Sequence, residues 1–385
     1  MQRKKIVILG STGSIGENAV KIAQHLPDEL EVVGIVANKQ IDKLAEQATL
    51  LDCKYVITSD CSLLGELDKK VGSSCKAQAG KDAILDLVTQ AEVDIVLCAI
   101  VGTDGLMPVL EAIRAGKDIA LASKEVLVMA GELVMAEVEK YGVRMLPVDS
   151  EHSALFQCLE DKKKEDISRL ILTASGGAFR TTSLEDMHNA TYENALAHPT
   201  WDMGPKVTID SASLMNKALE IIEARWLFDI PGERIDAIIH PQSVVHSMVE
   251  FIDGTMLAQL SSPDMRFPIQ YALTYPTKHA GCLEPLDFTK YSQLTFELPD
   301  TSRFPSLGFA REALRQCGTL PSVMNAANEI AVQAFADGHI RFTDIWRVIE
   351  KTMDSHSRIA TPTLEDILDA DNWARINAAQ IYKTF

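Results

Sequence analysis

The sequence has no apolar stretch long enough to cross a membrane and no pairing pattern among its cysteines. A membrane helix needs roughly 20 consecutive apolar residues, and no such run occurs in the 385 residues. The seven cysteines are odd in number and form no C-x-x-C pair. This usage favours reduced, structural thiols over a disulfide framework or a zinc site.

Basic residues are also scarce. Lysine and arginine number 37 against 54 aspartates and glutamates, giving a net charge of −17. This balance argues against a nucleic-acid surface, so local cationic and backbone groups must hold any anionic substrate. The opening MQRKKIVILG has an apolar part of only about five residues, which is not typical of a signal peptide. We therefore expect a bacterial cytoplasmic protein with no membrane or nucleic-acid partner.

The length favours two or three domains. Short β-rich apolar runs such as KKIVIL and EVVGIVA alternate with helical patterns in the first part, which predicts a doubly wound, Rossmann-like parallel sheet. A central α+β part follows, with a long helix over 213–228 and a hairpin at Asp253-Gly254. The remainder is helical. The predicted segments are a nucleotide-binding domain (1–148), a catalytic domain (149–290), a connection (291–306) and a C-terminal helical bundle (307–385).

A glycine-rich turn directly follows the first predicted strand. Gly10, Gly13 and Gly16 form G-x-x-G-x-x-G ahead of a helix that begins near Ile15. Glycines let the backbone approach a pyrophosphate at the positive end of a helix. The pattern alone is equally typical of a plain strand-to-helix turn, but its position on the first strand of a doubly wound domain favours a dinucleotide.

The end of the second predicted strand indicates which dinucleotide is used. NAD sites place a carboxylate there, about 20 residues past the glycines. This chain has Ala37-Asn38-Lys39-Gln40 instead. A lysine in place of an acid favours a 2′-phosphate and hence NADPH, although Lys39 also suits a solvated helix start.

Two acidic groups are candidates for a metal site. Asp149 and Glu151 follow a predicted strand, where ligands bind in open α/β sheets; helix capping is the alternative. Farther along, Asn216, Lys217 and Glu220 share one face of the predicted helix. A weak surface ion pair is the alternative there.

Two loops complete the candidate site. The strand RLILTA ends in Ser175-Gly176-Gly177, a turn suited to an anion or equally to a simple β-turn. The segment AHPTWDMGPK sets His198 and Trp201 among prolines and glycine. It suits a mobile lid, or a loop anchored by its tryptophan.

Taken in order, these motifs resemble the 1-deoxy-D-xylulose 5-phosphate reductoisomerase family over essentially the whole chain. The resemblance depends on ILGSTGSIG, AIVGTDGL, LASKE, LPVDSEH, LTASGGAFR, HPTWDMGPK, DSASLMNKALEIIEARWLF, IHPQSVVHSMV and MNAANEIAV. It implies a homodimeric enzyme that uses NADPH and one Mg²⁺ or Mn²⁺ ion. The implied reaction rearranges the substrate skeleton and then reduces an aldehyde to 2-C-methyl-D-erythritol 4-phosphate, in the methylerythritol phosphate route to isoprenoid precursors. A retro-aldol path and an α-ketol shift both remain open.

The resemblance also implies residue roles. Lys124, Asp149, Glu151, Glu220 and His198 would be catalytic, with the metal bound by Asp149, Glu151 and Glu220. The cofactor would contact Thr12, Gly13, Ser14, Ile15, Asn38, Lys39, Gln40, Ser123, Glu125 and Gly204. The substrate would contact Lys124, Ser150, Glu151, Ser175, His198, Trp201, Ser211, Asn216, Lys217 and Glu220. All lie at matching positions of this sequence.

Two positions depart from the family pattern, and two other functions share parts of it. Ser123 stands where the family commonly has asparagine, and Pro205 where it often has a basic residue. An ordinary NADP-dependent dehydrogenase would share the first domain but usually needs a positioned cysteine or histidine. An NADPH-sensing protein would keep the glycine turn without needing three carboxylates.

Overall fold

The computed structural model describes residues 3–73 and 75–385. The described chain forms two compact units. The first contains the chain up to Val126, together with Val134–Ser153 and Asp264–Pro285. The second contains Leu127–Leu133, Ala154–Pro263 and Leu286–Phe385.

The first part of the chain alternates strands and helices, as its apolar runs predict. In chain order the elements are β1 (Lys4–Leu9), α1 (Ser14–His25), β2 (Leu30–Ala37), α2 (Ile41–Leu50), β3 (Tyr55–Thr58), α3 (Leu64–Val71), β4 (Lys76–Ala79), α4 (Lys81–Val88), β5 (Ile95–Cys98), α5 (Leu106–Arg114), β6 (Asp118–Leu121), α6 (Glu125–Tyr141) and β7 (Met145–Pro147).

The seven strands form one parallel sheet in the order β4-β3-β2-β1-β5-β6-β7. The strand order reverses between β1 and β5, which is the switch point where open α/β sheets bind ligands. The last four residues of β1, Ile6–Leu9, are fully buried because helices cover both faces of such a sheet. The predicted Rossmann-like α/β class is thereby confirmed, with β4 as an additional edge strand.

The rest of the chain is richer in helix. Its elements are α7 (Ser150–Cys158), β8 (Ile167–Ala174), α8 (Leu184–His188), α9 (Tyr192–Leu196), α10 (Pro205–Ala212), α11 (Met215–Phe228), β9 (Ile235–Ile239), β10 (Val245–Phe251), β11 (Met256–Leu260), α12 (Arg266–Thr274), α13 (Ser306–Gln316), α14 (Leu320–Ala336), α15 (Asp344–Asp354) and α16 (Leu364–Tyr382).

The second unit has its own sheet, in the order β11-β10-β8-β9. Strands β10 and β11 form the antiparallel hairpin predicted at Asp253-Gly254, and Gly254 has the positive φ (82°) that such a turn favours. Strand β8 lies between β10 and β9, so its carboxyl end, just before Ser175, is held from both sides.

The long helix expected over 213–228 differs from the structure at its start. Helix α10 ends at Ala212 and α11 begins at Met215. Leu214 between them has a left-handed φ of 60°, which interrupts the helical hydrogen-bond pattern. The apolar periodicity of α11 indicates its buried face but carries no signal for this corner.

A glycine in α6 marks close packing inside the second unit. Helix α6 is kinked at Ala130, whose φ of −138° is not helical. A Cβ on the next residue, Gly131, would lie 2.2 Å from the indole of Trp226 on α11. Glycine at 131 therefore makes room for the tryptophan.

Within the described ranges, none of the helices combines the length and apolarity needed to cross a membrane.

Candidate active site

The glycine turn after β1 has the geometry of a tight strand-to-helix connection. Gly10 has a φ of +86°, and a Cβ there would lie 2.5 Å from the carbonyl oxygen of Ala99. A Cβ on Gly16 would lie 2.2 Å from the carbonyl oxygen of Gly10. Both positions thus exclude a side chain, whereas Gly13 meets only an ordinary contact at 3.5 Å.

The start of α1 is open to an anion. Gly13 and Ser14 are exposed, and no side chain caps the helix at Gly13. Backbone N–H groups at a helix start attract phosphate. The buried amide of Gln47 donates to the carbonyl of Ser11 at 2.9 Å and fixes the turn from below. Sequence reasoning missed Gln47, since a glutamine in α2 has no local pattern that links it to the turn.

Three exposed residues follow β2. Strand β2 is buried up to Ala37, and exposure begins at Asn38, Lys39 and Gln40. β2 lies beside β1, so their carboxyl ends share one edge of the sheet. Lys39 is therefore exposed at the sheet edge that also carries the glycine turn.

Lys124 and Asp149 follow two neighbouring strands on the β5 side of the switch point. Ser123, after β6, is buried and donates a hydrogen bond to the carbonyl of Ile100, which follows β5. The next residue, Lys124, donates to Oδ2 of Asp149 at 2.5 Å. Asp149 follows β7, the neighbour of β6, so the parallel sheet brings these residues together.

Asp149 and Glu151 form a close carboxylate pair at this edge. Their oxygens lie within 4.8 Å of each other, and Ser150 Oγ donates to Glu151 Oε2 at 2.6 Å. A ring nitrogen of the fully buried His152 also lies within 4.8 Å of an Asp149 oxygen. No sequence pattern indicates a role for His152, although it is adjacent to Glu151.

In the second unit, Ser175 is hydrogen bonded to His198. The Ser175 Oγ to His198 Nε2 distance is 2.9 Å. Nδ1 of the same ring accepts from the backbone N–H groups of Thr200 at 3.1 Å and Trp201 at 2.9 Å. Backbone N–H groups only donate, so the hydrogen of the neutral ring is on Nε2. Burial lowers the pKa of His198 below 6.5, which favours this neutral form.

The turn after Ser175 needs both its glycines. Gly176 and Gly177 have φ values of 89° and 67°, and Gly177 N–H donates to Ser175 Oγ at 3.2 Å. A Cβ on Gly177 would lie 2.4 Å from the carbonyl oxygen of Ser211 on α10. This close approach brings the two predicted phosphate-binding serines into adjacent segments.

The predicted lid, residues 197–206, has no regular structure up to residue 204, and its last two residues begin helix α10. The Trp201 ring lies 6.2 Å from the ring of His246, whose pKa burial lowers to about 4. Trp201 is half-buried and Gly204 is exposed, with open space at its Cα. The loop therefore combines a half-buried tryptophan beside His246 with an exposed glycine at the start of α10.

Helix α11 carries a compact polar cluster. Both Asn216 and Lys217 donate hydrogen bonds to the carboxylate of Glu220. Lys217 and Glu220 are buried, with side-chain exposures of 3% and 1%. A surface ion pair, the alternative considered from sequence, does not fit this burial.

Comparison with known proteins assigns the chain to a family. The 1-deoxy-D-xylulose 5-phosphate reductoisomerase model matches residues 6–131, and its C-terminal domain model matches residues 145–228. A further model, the DXP reductoisomerase C-terminal domain, matches residues 260–377.

Individual relatives agree over the full length. The 1-deoxy-D-xylulose 5-phosphate reductoisomerases of Trichlorobacter lovleyi and Geotalea uraniireducens are 48% and 50% identical to this chain, covering 99% and 97% of it and 98% and 97% of those proteins. The Zymomonas mobilis enzyme solved in complex with NADPH has a TM-score of 0.94 at 46% identity, with complete coverage of both chains.

A further solved reductoisomerase, in complex with NADPH, fosmidomycin and magnesium, has a TM-score of 0.94 at 38% identity and covers 99% of this chain and 98% of that one. Sequence, fold and motif order agree from end to end, and the chain belongs to the 1-deoxy-D-xylulose 5-phosphate reductoisomerase family.

Proposed function

We propose that this chain converts 1-deoxy-D-xylulose 5-phosphate to 2-C-methyl-D-erythritol 4-phosphate, using NADPH and one divalent cation. The observation that carries the proposal is the Asp149–Glu151 carboxylate pair, with oxygens within 4.8 Å, beside Lys124 at the carboxyl edge of the sheet that bears the glycine turn. An ordinary dehydrogenase does not need two acids at this position. Solved relatives of the same fold hold NADPH and magnesium.

The residues fit a hard cation. Asp149, Glu151 and Glu220 offer only carboxylate oxygens, which suit Mg²⁺ or Mn²⁺ better than zinc. Lys124 and Lys217 each donate to one of these acids and so orient the carboxylates. A protonated lysine is not itself a metal ligand, so the carboxylate oxygens remain the ligands. We assign the metal site to these three carboxylates.

When bound, NADPH supplies a hydride and the cation polarises the substrate ketone and stabilises developing negative charge. The chain's own groups position the reactants. Thr12, Gly13, Ser14 and Ile15 hold the cofactor phosphates, and Lys124, Ser150 and Glu151 face the reacting carbons and hydroxyls. Ser123, Glu125 and Gly204 flank the cofactor, with Pro205 beginning the helix after the lid.

The substrate phosphate binds to the second unit. Ser175, Ser211, Asn216 and Lys217 provide donors, and the neutral His198 offers the Nε2 hydrogen that it now directs at Ser175 Oγ. Trp201 closes over the substrate with the lid and excludes water from the reacting carbons. Binding the phosphate away from the reacting carbons orients them for the rearrangement.

We assign the cofactor to residues 1–148, metal and substrate chemistry to 149–290 and a supporting role to 307–385, joined through 291–306. The seven cysteines are free and the matched relatives are bacterial. Both facts support action in the bacterial cytoplasm, where NADPH is available.

We also infer that two copies of this chain pair through β11. This strand lies at the edge of its sheet, and Met256 and Leu257 on it are 46% and 43% exposed. An exposed apolar edge strand invites association unless another strand covers it. A second copy satisfies the edge with the same residues, as a two-fold interface requires.

Pairing through β11 predicts that a charge on this strand disrupts the dimer. Leu257→Lys should convert the dimer to monomer in sedimentation velocity, because each two-fold contact would gain two buried ammonium groups. Leu50→Lys, at an exposed leucine of the first unit (57% exposed), is the control and should leave the sedimentation coefficient unchanged. An unchanged dimer in Leu257→Lys would show that β11 is not the interface.

Cofactor preference tests the role of Lys39. Lys39→Asp should reduce the NADPH-over-NADH ratio of kcat/KM by about tenfold or more, because an attraction to the 2′-phosphate becomes a repulsion. Steady-state kinetics with both cofactors measures the ratio. Lys69→Asp, at an exposed lysine of α3, should preserve it, and equal ratios in both variants would remove Lys39 from the cofactor site.

Metal dependence tests the carboxylate set. Chelation should abolish NADPH oxidation with 1-deoxy-D-xylulose 5-phosphate, and Glu220→Gln should weaken Mn²⁺ binding by at least about tenfold, measured by electron paramagnetic resonance. The exchange is nearly isosteric, but it removes the charge that faces the buried ammonium of Lys217, so the melting temperature should fall, and Mn²⁺ binding is measured well below it. Glu233→Gln, at an exposed glutamate, is the matched control.

Product analysis separates this function from that of a plain reductase. Carbon NMR should show a branched skeleton. A linear reduced sugar phosphate, or turnover that survives chelation, would contradict the proposal.

The hydrogen bonds of His198 predict that the stability of the loop and the binding of substrate depend on pH. Its folded pKa is lowered by burial, so the neutral ring is retained down to pH values below 6.5, and protonation then places a hydrogen on Nδ1 against two backbone donors. The stability contributed by the neutral ring is complete above the unfolded pKa of about 6.5 and is lost as pH falls toward the folded value.

We therefore expect the KM for the phosphorylated substrate to rise at low pH more steeply in the wild type than in His198→Asn. The variant cannot protonate at position 198, so its profile lacks the contribution of this ring and keeps that of every other titrating group. Parallel KM profiles would mean that His198 does not control substrate binding.

A further inference from the structure

The corner between α10 and α11, residues 210–215, joins the two helices that carry the proposed phosphate donors. Ser211 precedes its bend and Asn216 follows it. At the bend, Leu214 is buried and has a φ of 60°, a conformation that non-glycine residues hold only when their surroundings impose it. The shape of this corner sets the distance between the donors on the two helices.

Two C-terminal helices donate hydrogen bonds to the bend itself. Ser306 Oγ, at the start of α13, donates to the carbonyl of Ser213 at 2.7 Å. Trp346 Nε1, on α15, lies 3.3 Å from the same carbonyl and 3.0 Å from Ser306 Oγ. Ser213 and Ser306 are fully buried and Trp346 is 6% exposed, so water does not compete for these bonds.

A third helix holds the corner at its first residue. Asn328 on α14 donates from Nδ2 to Asp210 Oδ1 at 2.9 Å. Lys206, one turn earlier on α10, places Nζ 2.9 Å from the other Asp210 oxygen. Asp210 is 1% exposed and Asn328 fully buried. A carboxylate buried to this extent needs such partners, and its position is therefore tied to α14.

The corner has little room to shift toward the Ser175 turn. A Cβ on Gly177 would lie 2.4 Å from the carbonyl oxygen of Ser211, so the two segments are already in close backbone contact. Loss of an anchor on the α13–α15 side would therefore change the spacing of Ser175, Ser211 and Asn216.

We infer that Ser306, Asn328 and Trp346 are positioning residues for the phosphate-binding corner. They act through Ser213 and Asp210 and do not touch substrate. The inference builds on the proposed phosphate site, and it gives the C-terminal helices a part in substrate binding.

The test measures binding of inorganic phosphate to the full-length chain by phosphorus NMR titration. Trp346→Phe removes the indole N–H while keeping an aromatic ring, and Ser306→Ala removes the hydroxyl with little loss of volume. Each should weaken phosphate binding about three- to tenfold, the range expected for one buried hydrogen bond. KM for the phosphorylated substrate should rise in parallel, while kcat stays within about twofold.

Thr352→Val is the matched control. Thr352 is fully buried on α15, and its hydroxyl donates to the carbonyl of Val348 at 2.7 Å. Removing this hydroxyl costs a buried hydrogen bond in the same helix as Trp346 without touching the corner. It should lower the melting temperature and leave phosphate affinity unchanged.

An exchange of residues tests the Asn328 bond. Asn328→Asp places two carboxylates together and should weaken phosphate binding, and the double variant Asn328→Asp, Asp210→Asn should restore part of the loss by re-forming an amide–carboxylate pair. The double variant should restore phosphate affinity only if the hydrogen bond between positions 210 and 328 determines the shape of the corner.

Ser211→Ala distinguishes failure of the inference from failure of the phosphate site. If Ser211→Ala weakens phosphate binding but Trp346→Phe and Ser306→Ala match Thr352→Val, the positioning role is wrong. If Ser211→Ala also leaves the affinity unchanged, the assignment of the phosphate site to this corner is wrong.

Discussion

Charge compensation around carboxylates is the constraint on which the rest of the site depends. An ionised carboxylate removed from water costs several kcal/mol unless a cation or hydrogen-bond donor faces it. Asp149 has Lys124, Glu220 has Lys217 and Asn216, and Asp210 has Asn328 and Lys206. Some of these pairs join elements that are distant in sequence, and others join successive turns of one helix. In both kinds, the partners must keep their relative positions for the carboxylate to stay compensated. The backbone around the proposed site is therefore held by ion pairs and hydrogen bonds to these three carboxylates.

The fold supplies those charges by two different means. In the parallel sheet, Lys124 and Asp149 meet because β6 and β7 are neighbours whose carboxyl ends share one edge. In the second unit, a bend between α10 and α11 positions the polar side chains. This bend has no ladder of strand hydrogen bonds to define its shape. Donors from α13, α14 and α15 take the place of such a ladder, so a helical region without ligand-binding motifs still affects the site.

The sequence predicts the sheet well wherever strands are apolar. Six strand runs follow from buried residues such as those of β1, but β4 (KAQA) lies at the edge, has only two alanines as apolar residues, contains no buried residue and gives no such signal. The bend at Leu214 likewise has no sequence signal, because leucine favours helix and the hydrogen bonds from Ser306 and Trp346 come from helices distant in sequence. Gln47 and His152 were missed for the same reason. Their partners are distant in sequence or depend on the fold, whereas glycine turns and acids at strand ends leave local patterns.

The contact between Gly131 and Trp226 has a consequence for how sequences of this family vary. An indole occupies the space that a side chain at 131 would need, so the two positions share one volume. A relative with alanine or a larger residue at the first position should carry a smaller side chain at the second, because packed interiors tolerate volume-conserving exchanges best. The pair should therefore change together across lineages, and a single substitution at either position should be rare.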